Sequence, residues 1–264
     1  MLRVPSAAGR GTTMEAPALK SKFKVFVVLP AYNEEANIGG LLERIDSALT
    51  DAWLNYTVIV VDDGSRDRTQ AILKERAERI PLIIKLHEVN QGLGRTIRDG
   101  LLAAAEMAGD QDIVVTMDAD ESHMPGLIPR MVQMLREGRD VVIASRYQPG
   151  AAVRGVSAFR RVLSFGASWL MRIFHPTPGV KDYTCGFRAY DGAALRRLAG
   201  LYGEKLVEAQ GFQCMAELLL KFRKHGAIFA EAPMVLRYDL KRGESKMKIL
   251  RTVGRTLRLL VKGS

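Results

Sequence analysis

Cysteine is scarce in this chain: of 264 residues only Cys185 and Cys214 carry a thiol, far apart and without metal-ligand spacing. Zinc is therefore a poor reading, and free thiols suit a reducing compartment. No stretch approaches the roughly 20 continuous apolar residues that a membrane-crossing helix needs. The start of the sequence also lacks the apolar core of a signal peptide. Together these absences predict a non-spanning, cytoplasmic protein. Aromatic residues are only 7% and no recognised binding motif occurs, which argues against nucleic acid as a partner.

What the chain does have is positive charge. Lys and Arg outnumber Asp and Glu by 39 to 29, a net charge of +10. Such a balance favours a polyanionic partner, whether nucleic acid, an anionic membrane surface or a phosphorylated substrate. With 47% hydrophobic residues the chain can bury one substantial core. Residues 1–21 mix small, polar and basic residues without periodicity and predict a disordered leader. One main domain is expected over 22–246, followed by a basic amphipathic helix over 247–264.

Within the domain, strand and helix alternate. Lys24 to Leu29 reads as a buried strand ending at Pro30, with a helix from Glu34 to Leu49. Thr57 to Val61 is a second strand, closed by the Asp62-Asp63-Gly64-Ser65 turn and followed by a helix from Asp67 to Arg79. Further strands are expected at Leu82–Leu86, Ile113–Met117 and Val141–Ser145, with helices at Gly94–Met107 and near Gly126–Glu137. This order predicts an α/β fold with a mainly parallel, Rossmann-like sheet flanked by helices. After about residue 146 the alternation fades into a helix-rich region and a basic tail, where an acceptor is expected to bind.

Ligands of such sheets sit beyond the carboxyl ends of the strands. Those ends carry Pro30-Ala31-Tyr32-Asn33-Glu34, Asp62-Asp63-Gly64-Ser65 and Asp118-Ala119-Asp120. Asp118 and Asp120 flank one alanine, so a tight turn lets both carboxylates face one divalent cation, with Ser122 and His123 as candidates to complete its shell. A solvated acidic turn is the competing interpretation. Asp62 and Asp63 are placed to accept hydrogen bonds from a ribose or base; capping of the next helix by Ser65 or Asp67 is compatible with that role. The Val-Asp-Asp-Gly turn also suits a nucleotide-dependent methyltransferase, but the glycine-rich turn after the first strand is missing.

Leu29-Pro30-Ala31-Tyr32-Asn33-Glu34-Glu35, Val61-Asp62-Asp63-Gly64-Ser65 and Met117-Asp118-Ala119-Asp120 resemble, in order and spacing, family 2 glycosyltransferases with the GT-A fold. Ala144-Ser145-Arg146-Tyr147, Asp182-Tyr183-Thr184-Cys185-Gly186-Phe187-Arg188 and Gly243-Glu244-Ser245-Lys246 extend the likeness to the dolichol-phosphate mannose synthase branch, over about residues 24–248. The resemblance implies an inverting transfer from a nucleotide diphosphate sugar such as GDP-mannose to a polyprenyl phosphate. It implies donor contacts from Pro30, Tyr32, Glu34, Asp62, Asp63, Asp118, Ala119 and Asp120, and Mg2+ or Mn2+ held by Asp118, Asp120 and Ser122. Arg146, Arg160, Ser164 and Lys246 match the family's acceptor-phosphate positions, and Asp118, Asp120 and Arg146 its catalytic set. Leu240 stands where relatives carry an arginine, with Lys241 and Arg242 beside it.

Asp182 to Arg188 is expected to floor the sugar pocket, with an Asp182–Arg188 pair as a purely structural alternative. Gly211-Phe212-Gln213 and Glu217 begin a helix that would close it. A hydroxyl acceptor would instead require a general base, for which Glu208 and Glu217 are the candidates. From Val156 to Phe174 the sequence interleaves apolar residues with Arg160, Arg161 and Arg172. Together with the basic stripe of the tail, this suits peripheral contact with a membrane interface, alone or through a membrane-anchoring partner.

Overall fold

Val25 to Leu29 and Tyr56 to Val61 are unbroken apolar or β-branched runs, with Thr57 the one polar side chain, so a strand made of either must be covered on both faces. A computed structural model describes residues 20–211 and 213–240, with the backbone alone at 158–163 and 167. In chain order the elements are β1 (Lys24–Ala31), α1 (Ile38–Asp51), β2 (Asn55–Asp62), α2 (Thr69–Ala77), β3 (Leu82–Leu86), α3 (Leu93–Met107), β4 (Ile113–Thr116) and α4 (Ile128–Arg136). There follow β5 (Val141–Ser145), β6 (Ala152–Arg154), α5 (Ala158–Phe174), β7 (Arg188–Asp191), α6 (Gly192–Tyr202), α7 (Cys214–Lys224), β8 (Phe229–Pro233) and β9 (Val235–Arg237).

The main sheet has the order β3-β2-β1-β4-β7-β5-β8. All its pairings are parallel except those of β7, which runs antiparallel between β4 and β5. The chain therefore winds outward from β1 to β3 and returns to start β4 on β1's other side. Right-handed crossovers place α1 and α2 on one face and α3, which crosses back, on the other. The buried stripe of α1, Ile38, Leu41, Leu42, Ile45 and Leu49, follows helical spacing. Burying each such side chain contributes roughly 1.5–3 kcal/mol.

Four local expectations are corrected. β1 runs through Pro30 to Ala31 rather than stopping before it. Val28, two residues earlier, gives its carbonyl to Met117 on the β4 side; Pro30 faces the same way, beyond the last β1–β4 pair, where a missing N–H breaks no ladder. The first helix starts at Ile38, not Glu34, because Asn33 takes a left-handed backbone (φ 50°) and residues 33–35 turn their N–H groups to a neighbouring loop. Strand formation does not end at residue 146: β7 and β8 complete the sheet, and β6 pairs with β9 in a small second one. Ser21 belongs to the fold rather than the leader, since its hydroxyl binds Phe23 O and the N–H of Asn55. The rest of the leader apart from Lys20, and the tail helix over 247–264, lie outside the described residues.

Helix α3 lies against the sheet through small residues. A Cβ added at Gly100 would stand 2.4 Å from Val28 Cγ1 and 3.2 Å from Val61 Cγ2. Gly100→Ala should therefore overpack this seam and cost about 1–3 kcal/mol. The check is urea unfolding: a lowered midpoint at unchanged slope is expected, and an unchanged midpoint would show that the seam can relax.

Candidate active site

Because the strand order reverses around β1, a crevice opens between the carboxyl ends of β1 and β4, with β2 beside it. The first two strand-end loops meet there and are joined reciprocally. The N–H groups of Asn33, Glu34 and Glu35 donate to Ser65 Oγ, Thr69 Oγ1 and Asp67 Oδ2 at 2.8, 2.8 and 3.1 Å. In return the N–H groups of Arg66 and Arg68 donate to Asn33 Oδ1 and Glu35 Oε2 at 2.8 and 2.9 Å. Asp67 Oδ1 also accepts from Thr69 N and Oγ1, capping α2. Glu34 Oε2 takes the side-chain amide of Asn37, at the entry to α1. Pro30 thus sits at the end of β1, and Tyr32 and Glu34 follow it on a loop fixed by its neighbour.

Asp62 and Asp63 adopt an arrangement that the sequence does not announce. Asp62 is fully buried: Oδ1 accepts from the Ser65 hydroxyl and Oδ2 from Gln70 Nε2 at 2.7 Å. Asp63 Oδ1 accepts from Gln91 N at 2.8 Å and lies 2.7 Å from His87 Nδ1, while Oδ2 accepts from Gly92 N at 2.9 Å, just ahead of α3. His87 Nε2 faces Asp99 at 3.0 Å. Both strand-end carboxylates therefore bind their own chain and shape the loops around the crevice.

Beyond β4 the chain makes the tight turn that the acidic pair requires. Asp118 N donates to His123 Nδ1 at 3.2 Å, and His123 stacks on Phe187. Ser122 donates to Asp120 Oδ1 from both N (3.1 Å) and Oγ (2.5 Å), which fixes that carboxylate's orientation. Asp120 is buried, whereas the Asp118 side chain is a third exposed. Gly186 lets the Asp118 side chain lie close, since a Cβ there would stand 3.1 Å from Oδ1. Two carboxylates on one short turn fit a hard divalent cation. Among the described residues no group of three or more His, Cys, Asp or Glu could hold a metal ion by itself. The remaining coordination positions would fall to the Ser122 hydroxyl, water or diphosphate oxygens, in keeping with how magnesium binds.

Arg146, at the end of β5, is gripped by Asp182: Nε and Nη2 meet the two carboxylate oxygens at 2.8 and 2.7 Å, and Nη2 also reaches Thr184 Oγ1. The alternative of an Asp182–Arg188 pair is not what the structure shows. Arg188, wholly buried, instead donates to the carbonyls of Tyr183, Cys185 and Met215, holding β7 to the start of α7. Burial alone would raise the Asp182 carboxyl, but the Arg146 guanidinium outweighs it and holds the group below the usual carboxylate range. Arg146 in turn is held above its ordinary value by Asp182, against the opposing effect of burial.

Ser164, on α5, stands 3.4 Å from the Tyr147 hydroxyl, beside Arg146. Arg160 lies one helical turn earlier; its side chain and Lys246 are outside the described residues. Of the general-base candidates, Glu217 is committed to the N–H groups of Glu208 and Ala209 and to the Lys221 ammonium. Glu208 is exposed beside that same ammonium, at 3.7 Å. Both cysteines are free and buried, and burial pushes their thiols up to about 12.

An open, mainly parallel sheet with acidic and polar loops gathered at its switch point is the arrangement in which α/β proteins hold ligands. Residues 26–199 match Glycosyl transferase family 2, and the chain belongs to that family. It is 34% identical over 226 residues to a dolichol-phosphate mannosyltransferase of Pyrococcus furiosus, an alignment covering 85% of this chain and 59% of that one. It is 30% identical over 253 residues to a polyprenol monophosphomannose synthase of Mycolicibacterium smegmatis, covering 93% and 89%. With an undecaprenyl-phosphate mannosyltransferase of Micrococcus luteus it shares 31% over 231 residues, covering 85% and 87%. Among solved structures, glucosyl-3-phosphoglycerate synthase from Mycobacterium tuberculosis in complex with Mn2+, UDP and glucosyl-3-phosphoglycerate superposes with a TM-score of 0.64 at 26% identity, over 92% of this chain and 79% of that one. The fold is GT-A.

Asp182→Asn should leave the Arg146 guanidinium without its counter-charge and destabilise the domain by about 3–5 kcal/mol. Because the folded-state value is depressed, the wild-type contribution is full above the unfolded carboxyl value of about 4 and is lost as pH falls through the folded-state value. Chemical denaturation across the acid range checks this: the variant should lose that part of the wild-type acid dependence.

Proposed function

We propose that this chain transfers mannose from GDP-mannose to a polyprenyl phosphate with inversion at the sugar carbon. The observation that carries the reading is the meeting of the Asp118-Ala119-Asp120 turn with the two joined loops at one sheet edge, in a chain whose relatives are named for mannosyl transfer to such lipids. In this reading an acceptor phosphate oxygen forms a bond to the anomeric carbon as the bond from that carbon to the diphosphate oxygen breaks, and GDP departs with the electron pair. The acceptor is already an oxyanion at neutral pH, so it needs positioning more than a general base. Glu217, one of the two general-base candidates for a hydroxyl acceptor, is committed to its own chain, which agrees with that.

Asp118 and Asp120 would hold Mg2+ or Mn2+, with Ser122 orienting Asp120. When bound, the ion neutralises charge developing on the leaving diphosphate. Tyr32, Glu34 and the Asp62 and Asp63 loops would line the donor side. On the acceptor side, Arg146, Arg160, Ser164 and Lys246 would gather the phosphate, with Asp182 keeping the Arg146 guanidinium in place. Transfer assays with labelled GDP-mannose, UDP-glucose and polyprenyl phosphate test the reaction. Label should enter the lipid phase from GDP-mannose only, chelator should stop it, and Asp120→Asn should reduce it at least a hundredfold without unfolding the protein. Water-soluble products alone would remove the lipid acceptor, and wild-type turnover in Asp120→Asn would remove the metal assignment.

The lipid acceptor calls for a membrane-facing surface, and α5 supplies a candidate. Phe165, Trp169, Ile173 and Phe174 are each more than half exposed, while Ser168 and Met171 on the same helix are buried. Among the described residues no helix is long and apolar enough to cross a membrane. Peripheral contact through this ridge, on the cytoplasmic side, fits an interfacial helix; an anchoring partner protein is a compatible addition. Phe165→Ser with Trp169→Ser should abolish co-sedimentation with anionic phospholipid vesicles while leaving the melting temperature near that of the wild type. Undiminished binding would exclude the ridge as the contact.

A further inference from the structure

Glu121 lies inside the acidic turn, between Asp120 and Ser122, yet its side chain points away from both toward α1. Its Oε1 meets Arg44 Nη2 at 2.6 Å, with the Glu121 side chain only 11% exposed. The backbone at Glu121 is left-handed (φ 61°), a conformation that costs a non-glycine residue energy unless its surroundings enforce it. One turn before Arg44, on the same face of α1, stands Gly40. A Cβ built there would lie 2.6 Å from Glu121 Oε1, so a side chain at position 40 would displace the carboxylate from its present place beside Arg44. Three features thus converge on one contact: a left-handed backbone at Glu121, an ion pair in which the carboxylate is buried and the guanidinium half-exposed, and a close approach that a Cβ at position 40 would disturb.

The consequence falls on the neighbouring residue. Asp120 has its Oδ1 set by Ser122, and both residues flank the position whose backbone the Arg44 contact holds. A further tie of the turn, Ser122 O accepting from Arg237 N at 2.9 Å, comes from the C-terminal part of the described chain. We propose that Glu121, Arg44 and Gly40 form a clamp that positions the Asp118–Asp120 carboxylates for a divalent cation, acting as positioning residues rather than ligands. This rests on the metal reading given above. It ties cation affinity to α1, a helix that presents no ligand of its own.

Charge separates the clamp from simple electrostatics. Arg44→Met removes a cation near the metal site, so through-space attraction alone would tighten Mn2+ binding; loss of the clamp would weaken it. The test is Mn2+ binding to the full-length protein by electron paramagnetic resonance with GDP present, alongside hydrogen exchange at residues 119–123. Arg44→Met and Gly40→Ala should each raise the Mn2+ dissociation constant roughly tenfold, the scale of lost outer-shell support, and speed exchange in the turn. Arg44→Lys should restore most of the affinity. Wild-type Mn2+ affinity in Arg44→Met, or tighter binding, would overturn the clamp alone. Failure of the wild-type protein to bind Mn2+ with GDP would overturn the metal reading and the proposal with it.

Discussion

The end of β5 and the chain that leads into β7 are organised by one buried carboxylate. Asp182 cannot remain ionised in the interior without compensation, because an unpaired charge there costs several kcal/mol. It draws in the Nε–Nη2 edge of the Arg146 guanidinium and the N–H groups of Thr184 and Cys185. The segment that follows is thereby curled so that the carbonyls of Tyr183 and Cys185 face Arg188. Arg188 passes the constraint on through the Met215 carbonyl to α7, and through its own backbone to β7, the antiparallel strand wedged between β4 and β5. One ion pair therefore couples the end of β5 to the centre of the sheet and to a helix more than 30 residues further on.

The β1–β2 side of the crevice is built differently, from hydroxyl, amide and carboxylate oxygens that accept backbone N–H groups and so join two loops. Neither loop depends on burial of charge for its shape except at Asp62 and Asp63, whose carboxylates are satisfied locally. Asp118 is flanked by His123 on its own turn and by Gly186 from the Asp182 segment, so a disturbance of that segment reaches this carboxylate.

The first five strands were legible because their apolar runs are long and bounded by clear turns, and the three strand-end motifs located the crevice. Three kinds of feature were not legible. β7 begins with Arg188, whose full burial contradicts every hydropathy signal, so Arg-Ala-Tyr-Asp does not read as a central strand. The start of α1 was misplaced because Glu34 and Glu35 favour helix locally, while the tertiary hydrogen bonds of residues 33–35 hold them out of it. Partner choice was invisible as well: Arg146 and Arg188 both lie near Asp182 in reach, and only the three-dimensional arrangement of carbonyls decides which one the carboxylate takes. The Glu121–Arg44 contact joins residues 77 positions apart and carries no local signature.

The joined loops have a consequence for how this fold meets a nucleotide. In glycine-rich nucleotide folds the amides after the first strand form a cradle that solvates phosphate oxygens. Here the amides of Asn33, Glu34 and Glu35 are turned to Ser65, Thr69 and Asp67. A diphosphate arriving at this edge finds that cradle already filled by side-chain oxygens. On the proposed reading its charge would be met by cations and basic side chains instead, which would make donor affinity depend on the ionic composition of the surrounding solution as well as on loop shape.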